Sequence, residues 1–372
     1  MPPPTISTAL LVPQDRVARL PISAWSARLR TRLHDARSTE RRCLDHAEAL
    51  AGVGNNAALV ATYQGSFGLA AALCEAQIRS QDRMSRRARD PRVGLLGIQP
   101  WVNLGRLEAL RGDWEAALQR FSRLVHPGGD GRLCLGTLRV AADEDAANGL
   151  HRGFLLTVYI VDSLKALLMS RRFEEVLRFA ERMPTDDPRM IRRADEARVV
   201  AHCRLGDAER ALTVAEAASS ASAGWNRAVF RLRRVETLLC MGQEEKAVDA
   251  LNGLSNVLLG AAPAARGRLE NMYIVNRTAH LCAEADLGDA AAALARATRE
   301  AAEAAEDEVA RIEALRLLCT VAPEEREGEP GSVLRDLERS TGYARYRSDG
   351  ATELRDPEAD LLYTELRATF SG

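Results

Sequence analysis

The chain has 372 residues, of which 46% are hydrophobic, so its apolar side chains are sufficient for a continuous core. Aromatic residues make up only 5%, and the core must therefore be built mainly from Leu, Ala and Val. The formal net charge is −1, so the overall charge of the chain gives no reason to expect a nucleic-acid partner.

The basic side chains are almost all arginines, since Lys165 and Lys246 are the only lysines. An arginine- and alanine-rich chain of this kind is typical of a GC-rich bacterial genome. The seven cysteines form no CxxC pair, which favours reduced, buried thiols. The N-terminus has no basic region ahead of its short apolar run, and no stretch of about 18 apolar residues occurs. We therefore expect a soluble cytoplasmic protein without a membrane partner.

Residues 1–22 are rich in proline and have little periodicity, which predicts an extended N-terminal arm whose Leu10-Leu11-Val12 segment docks on a neighbouring groove. Residues 23–96 then predict degenerate helical hairpins. The pattern places one helical segment at 24–51, broken near Ser38-Thr39, with Ser23 as its N-cap. Gly52-Val53-Gly54-Asn55 is expected to end it, and a second helix is expected over 57–84. The basic run 80–92 is either a solvated linker or an anion-contacting loop.

Residues 100–127 give the strongest helix-turn-helix pattern of the chain. They resemble a tetratricopeptide repeat (TPR), whose pattern is W-x2-L-G-x2-Y, a Gly-Asp-aromatic turn, and then Ala and an aromatic residue. Glu108 stands where the family has tyrosine. The matching residues are Trp101, Leu104, Gly105, Gly112, Asp113, Trp114, Ala117 and Phe121. We interpret Trp101, Gly105, Trp114 and Ala117 as packing residues.

Four weaker copies of the turn follow, and the interval between successive copies is close to the about 34 residues of a TPR in two of three cases. They begin at Arg171-Arg172, Gly206-Asp207, Gly242-Gln243 and Gly288-Asp289. The resemblance implies an all-α fold, a right-handed superhelical array of antiparallel helix pairs (a TPR-like α-solenoid). The array is expected over 97–305.

Two insertions interrupt this array, at 128–149 and 255–268. The first is expected to be a small hairpin or a short helix, and both are either padding or functional loops. Residues 306–372 predict C-terminal capping helices. They comprise a helix over 306–321, a break over 323–331, a short helix over 333–340 and a terminal amphipathic helix over 357–370. Leu361, Leu362, Leu366 and Phe370 are expected on one face of the last helix.

Recognisable catalytic motifs do not occur: there is no GxGxxG, P-loop, GxSxG or HExxH sequence. His202 and Cys203 are adjacent, so on a helix they point about 100° apart and do not favour one metal ion. His280 lies near Cys282 in the same way. Glu284 and Asp286 are either acid/base carboxylates or, more simply, helix-surface charges. We expect neither a metal nor a cofactor.

In the TPR family the first helix of each repeat lines a concave groove, and this resemblance implies which side chains meet a partner. They are Asn103, Arg106, Lys165, Arg193, Glu196, Arg204, Arg233 and Glu236. A row of basic side chains, Arg106, Lys165, Arg193 and Arg204, is suited to a peptide carboxylate or an acidic helix. Asn103 is suited to a peptide backbone. The chain lacks the full Lys/Asn set with which some TPR modules clamp a C-terminal carboxylate.

These patterns favour a non-catalytic scaffold that binds a protein or peptide segment, with an acidic segment preferred. One alternative is a ligand- or peptide-responsive regulatory module, although residues 24–51 contain no convincing recognition helix for DNA, and a nucleic-acid partner is not expected. The other is a pathway enzyme that uses the groove as its active site. That enzyme would need His202, His280, Tyr273 or Cys282 within hydrogen-bond reach of one another.

Overall fold

The computed structural model describes residues 6, 19–38, 43–88, 93, 95–126, 132–135, 138–141, 146–183, 187–261, 269–341 and 356–371. Within these ranges the chain forms seventeen helices and one two-stranded antiparallel hairpin. The first elements are α1 (Ile22–Ser38), α2 (Cys43–Tyr63), α3 (Phe67–Ala88), α4 (Ile98–Leu110), α5 (Trp114–Ser122), β1 (Arg132–Leu135), β2 (Leu138–Ala141) and α6 (Ala146–Met169). The next are α7 (Phe173–Glu181), α8 (Pro188–Arg204), α9 (Ala208–Ser220), α10 (Gly224–Cys240), α11 (Glu244–Gly260) and α12 (Leu269–Glu284). The last are α13 (Gly288–Ala304), α14 (Glu308–Val321), α15 (Pro323–Glu327), α16 (Glu329–Ser340) and α17 (Pro357–Ser371).

The chain divides into two compact units, and each takes in one of the chain ends. The N-terminal unit comprises residues 21–166 and 341–372, and the C-terminal unit comprises residues 1–20 and 167–340. The expected all-helical character is confirmed apart from the hairpin, which is one of the two forms predicted for 128–149. The rest of that insertion between 127 and 145 lies outside the described residues.

In the N-terminal unit, α17 packs against α1, α2 and α3. Tyr363 donates a hydrogen bond of 2.6 Å to the buried Gln64, and Arg30 bonds Glu358 at 2.7 Å and Glu365 at 3.1 Å. Leu362, Leu366 and Phe370 are buried, but Leu361 is 47% exposed. The prediction that all four share one apolar face was therefore wrong for Leu361, which extends beyond the contact.

In the C-terminal unit, consecutive helices from α7 onward pack against each other, and next-but-one helices also touch. The touching next-but-one pairs are α8 with α10, α10 with α12, α11 with α13, α12 with α14, and α14 with α16. A continuous core runs through α10 to α14 and is built almost entirely from Leu, Val, Ile and Ala, with Cys282 among them. The low aromatic content of the chain is thus matched by a core of small and medium aliphatic side chains.

Among the residues that the structure describes, one turn recurs at seven helix ends. In each copy a residue with positive φ follows the helix, and the N–H of the next residue bonds the carbonyl five positions earlier at 2.8–3.0 Å. This is a Schellman turn, which satisfies carbonyls that the helix leaves unpaired. The positive-φ residues are Gly65, Gly112, Arg171, Gly206, Gly242, Asp286 and Glu306.

Four of the five turns predicted from the sequence coincide with these positions. The fifth was wrong: the turn lies at Asp286 and Leu287, and Gly288 is already the first residue of α13. The copies at Gly65 and Glu306 were missed. Gly65 had been placed inside a continuous helix over 57–84, which the structure breaks at Gln64–Ser66.

The glycines of α2 were also misread. The helix runs unbroken from Cys43 to Tyr63, so Gly52–Asn55 does not end it. A Cβ on Gly54 would lie 2.7 Å from Gln77 and 2.9 Å from Phe370, so glycine serves here for close packing. Ser23 is likewise not an N-cap, because α1 begins at Ile22.

Three further expectations changed. Ser255 to Gly260 continues α11, with the Ser255 hydroxyl bonded to Leu251 at 2.8 Å, while 262–268 lies outside the described residues. The break predicted over 323–331 contains α15 and the start of α16. Residues 80–88 complete α3. Residues 89–92 of that basic run, and Leu10-Leu11-Val12 of the arm, lie outside the described residues.

The TPR-like stretch forms α4 and α5 with tight contacts between them. Trp101 donates to the Arg120 carbonyl at 3.3 Å, and the Arg120 guanidinium lies 4.3 Å above the Trp101 ring centroid. Glu108, the residue that replaces the family tyrosine, pairs with that same guanidinium. An ion pair thus joins α4 to α5 where the TPR pattern has an aromatic ring.

We expect Gly105→Ala to destabilise the protein by about 1–3 kcal/mol, because overpacking a filled core costs this much. The new Cβ would lie 2.5 Å from the Phe121 ring, which is itself fully buried. Gly52→Ala is the matched control in the same unit, since nothing lies within 4 Å of its Cβ. It should stabilise by about 0.5–1 kcal/mol through helix propensity. Urea denaturation measures both, and equal effects of the two substitutions would contradict the close approach of Phe121.

Candidate functional site

The predicted groove residues of the N-terminal unit lie on α4 and α6. Arg106 makes a two-point ion pair with Asp162, with Nε–Oδ1 at 3.1 Å and Nη2–Oδ2 at 2.8 Å. Asp162 is 6% exposed, whereas the Arg106 side chain is 46% exposed. Asn103 accepts a hydrogen bond from Gln99 at 3.2 Å, and Lys165 is half-buried. Arg106 therefore fixes α4 to α6 while part of its guanidinium faces solvent.

In the C-terminal unit three of the predicted residues, together with Arg277, form a chain of ion pairs that joins α8, α10 and α12. The buried Arg233 of α10 donates to Glu196 of α8 at 3.1 and 2.6 Å. It also donates to Glu236, one turn further along α10, at 2.7 Å. Glu236 accepts in turn from Arg277 of α12 at 3.0 Å. We call this set, Glu196, Arg233, Glu236 and Arg277, the charge ladder.

The charge ladder is inside the protein. The side chains of Glu196 and Arg233 are 0% exposed and that of Glu236 is 1% exposed, so a partner cannot contact them in this state. Burial lowers the pKa of Arg233, but the two carboxylates more than offset it and leave the pKa above its ordinary value. The three residues were predicted on an accessible face, and the structure instead assigns them to aligning α8, α10 and α12.

Arg204, at the end of α8, contacts a different kind of group. Its Nη2 donates to the backbone carbonyl of Ile6 at 2.8 Å. The Ile6 side chain is 2% exposed. A residue outside any helix is thus held through its backbone carbonyl and a buried apolar side chain. We call the guanidinium of Arg204 and the buried position of the Ile6 side chain the Ile6 seat.

A second residue of the arm is anchored further along the same unit. The Arg19 carbonyl accepts from the N–H of Glu308 at 3.0 Å. Its guanidinium lies 3.9 Å from Asp307 and 5.5 Å from the centroid of the Tyr273 ring. The arm therefore contacts α8 at Ile6, and α12 and α14 at Arg19. Arg193, the remaining predicted groove residue, is half-buried on α8.

The residues that a catalytic groove would need each contact different partners. His202 lies 3.5 Å from Asp207, Cys282 bonds Ser255 at 3.2 Å, and Tyr273 lies beneath Arg19. Burial lowers the pKa of His202 and of His280. Glu284 lies 4.0 Å from Arg277. Among the described residues, no group of three or more His, Cys, Asp or Glu side chains is placed to hold a metal.

A separate cavity of about 590 Å³ lies among α9, α10 and α11. Its lining includes Arg231 and Arg234, with Ser219 and Ser220 nearby, and Arg234 is paired with Glu216 of the same lining at 3.0 Å. None of the ladder residues lines it. Arg204, which bonds Ile6, does not line it either, so the cavity is distinct from the Ile6 seat.

No protein-family model matches the chain, and no curated protein matches it either. In the part of the chain that the structure describes, no helix is long and apolar enough to cross a bilayer.

We expect Arg233→Met to destabilise the protein by about 3–5 kcal/mol, because it leaves two buried carboxylates without their shared partner. Adding Glu196→Met to that variant should recover part of the loss, since it removes one of the two carboxylates that had bonded Arg233. Arg234→Met is the control on the same helix. Its pair with Glu216 is exposed and should be worth about 0–1 kcal/mol. Guanidinium denaturation of the four proteins measures the differences, and a cost for Arg233→Met no larger than that for Arg234→Met would contradict a buried ladder.

We expect stability to fall as the pH drops below about 6.5, in part because of His280. Burial lowers the pKa of His280 below its ordinary value of 6.5; Arg277 lowers it further, while Glu313 and Glu284 raise it. The unfolded chain therefore binds the proton at higher pH than the folded one. This contribution is complete above the unfolded pKa and is lost as the pH falls through the folded pKa. His280→Gln should flatten thermal midpoints between pH 7 and 5 relative to a control, His34→Gln at an exposed site. An unchanged slope would show that the His280 pKa is not lowered.

Proposed function

We propose that the chain is a TPR-like α-solenoid of the bacterial cytoplasm that serves as a non-catalytic scaffold for an extended peptide segment. The observation that carries the proposal is the Ile6 seat, in which the protein holds a segment of its own chain through the backbone and one apolar side chain. The helix pairs, the shared turns and the packing of first helices on one another support the solenoid assignment.

The chemistry of the seat suits a peptide partner. Burying an isoleucine side chain contributes about 1.5–3 kcal/mol. A hydrogen bond from a charged donor such as Arg204 adds about 1.5–3 kcal/mol. The carbonyl of Ile6 is used, and a bond to a backbone group does not depend on which side chain the bound residue carries. Selectivity then comes from burial of the apolar side chain.

The charge ladder weakens the expected preference for an acidic partner. Because Glu196, Arg233 and Glu236 bond one another inside the protein, they add no net recognition of an acidic side chain. Arg204 uses its guanidinium on a neutral carbonyl. The proposed partner is therefore an extended segment with an apolar anchor residue, and acidic side chains are secondary.

A ligand-responsive regulatory module is the second candidate. It is favoured because the residue held in the Ile6 seat belongs to the protein's own chain. The occupant belongs to the same chain, so its effective concentration is on the order of millimolar. A partner segment must compete with it, and displacement of the arm would report binding. The distribution of His202, His280, Tyr273 and Cys282 among different partners favours either binding role over an enzyme.

The proposal is tested with the full-length protein and a peptide of residues 1–12, labelled at its C-terminus. Ile6→Asp in the protein should empty the seat, because an aspartate cannot be buried there without large cost. Fluorescence anisotropy should then show saturable binding of the peptide. Adding Arg204→Ala to this protein should weaken binding by about tenfold or more, since it removes a charged donor worth at least about 1.4 kcal/mol.

The controls separate the seat from general surface effects. Arg231→Ala, on the exposed side of α10, should leave peptide affinity unchanged. A peptide with Ile6→Asp should not bind. Equal affinity for the Arg204→Ala and Arg231→Ala proteins, or equal binding of the two peptides, would refute the seat as a peptide site.

A further inference from the structure

Three consecutive helices of the C-terminal unit line the cavity of about 590 Å³. The middle helix, α10, packs against both α9 and α11. Each helix contributes residues three positions apart, which lie on one face of a helix, so each presents one short stretch of its surface to the cavity. The pairs are Glu216 and Ser219 of α9, Arg231 and Arg234 of α10, and Ala250 and Gly253 of α11.

The polar part of this lining carries more positive than negative charge. Arg234 pairs with Glu216 through its Nε at 3.0 Å. A guanidinium has five N–H donors, so this pair leaves others of Arg234 for a ligand. The side chain of Arg231 is exposed and has no ion-pair partner among the described residues. Two guanidinium groups and the Ser219 hydroxyl can therefore meet an anion while the existing ion pair stays intact.

The part of the lining that α11 supplies is apolar and open. A Cβ at Gly253 would meet no atom within 4 Å, and the residue has no positive φ that requires glycine. Glycine inside a helix is less stable than alanine, so its effect here is to leave space beside α11. Leu254, the next residue of the lining, is buried. The cavity thus has an apolar side with room for the body of a ligand.

We propose that this cavity binds a small organic phosphate monoester. Its volume lies in the range of small-molecule sites. A phosphate suits Arg231, Arg234 and Ser219 better than a carboxylate does, because it carries up to two charges and three terminal oxygens. The organic group lies against α11. The cavity shares no residue with the Ile6 seat, so the proposal goes beyond peptide binding and does not depend on it.

The test uses the full-length protein with phenyl phosphate as the probe and isothermal titration calorimetry as the measurement. We expect saturable binding at one site. Phenyl phosphate should also raise the thermal midpoint above its value in sodium chloride of equal ionic strength, because it binds the folded state. Benzoate has the same ring on a carboxylate and should bind about tenfold more weakly, since it loses hydrogen bonds to charged donors.

Two substitutions in the lining have matched controls. Arg231→Gln should weaken phenyl phosphate binding by about tenfold or more, because it removes a charged donor. Lys246→Gln removes the same charge from an exposed position of α11 outside the lining and should leave the affinity unchanged. Gly253→Leu should abolish binding by filling the cavity. Gly260→Leu, at an open position of the same helix outside the lining, should not weaken it.

The two kinds of variant separate charge from space. Gly253→Leu keeps both arginines, and the open surroundings of Gly253 allow it to fold, which its thermal midpoint without ligand verifies. Weaker binding in Arg231→Gln and Gly253→Leu alone would support the proposal. It would be overturned by the absence of saturable binding to the wild type, by equal losses in Arg231→Gln and Lys246→Gln, by unchanged affinity in Gly253→Leu, or by benzoate binding as tightly as phenyl phosphate.

Discussion

The structure depends on one recurring backbone device, the left-handed residue that ends a helix and the hydrogen bond that closes behind it. Isolated helices of this length are marginal in water, so they persist only when packed. The turn reverses the chain at once and brings the next helix against the last. Glycine supplies the conformation at four of the seven positions, and Arg171, Asp286 and Glu306 adopt it at a cost of about 1–2 kcal/mol each. That three side chains accept this strain shows how strongly the surrounding helix pairs determine the geometry.

The sequence predicted the glycine turns at Gly112, Gly206 and Gly242 but missed the one at Gly65, and it misled where glycine serves another purpose. Gly206 and Gly242 are needed for positive φ, and their neighbours in sequence are enough to predict it. Gly54 is needed because Gln77 and Phe370 come within 3 Å of the position a Cβ would take. Phe370 lies at the opposite end of the chain, so only the folded N-terminal unit brings it there. The turns at Asp286 and Glu306 have no glycine at the positive-φ position, so no local residue type indicates them.

The groove prediction put the charged residues on an accessible face, but helical phase alone cannot tell which of them are buried. Burial depends on whether a neighbouring side chain, on the same helix or on the next one, supplies an opposite charge. Arg233 is inside because Glu196 and Glu236 flank it, and Arg106 stays half exposed because Asp162 covers only one side. The Ile6 seat was not predicted as a site. The arm has no periodicity, and its partner residue Arg204 is far from it in sequence, so only the expectation of a docking arm pointed in this direction.

The charge ladder also bears on the Ile6 seat. Arg233, Glu196 and Glu236 lie inside the C-terminal unit, where a buried charge without an opposite charge beside it is costly. Arg277 gives Glu236 a second guanidinium, so the ladder continues from α10 to α12. Arg204, which bonds the Ile6 carbonyl, is the last residue of α8. The bonds that align α8 with α10 and α12 therefore also fix the position from which Arg204 reaches the arm.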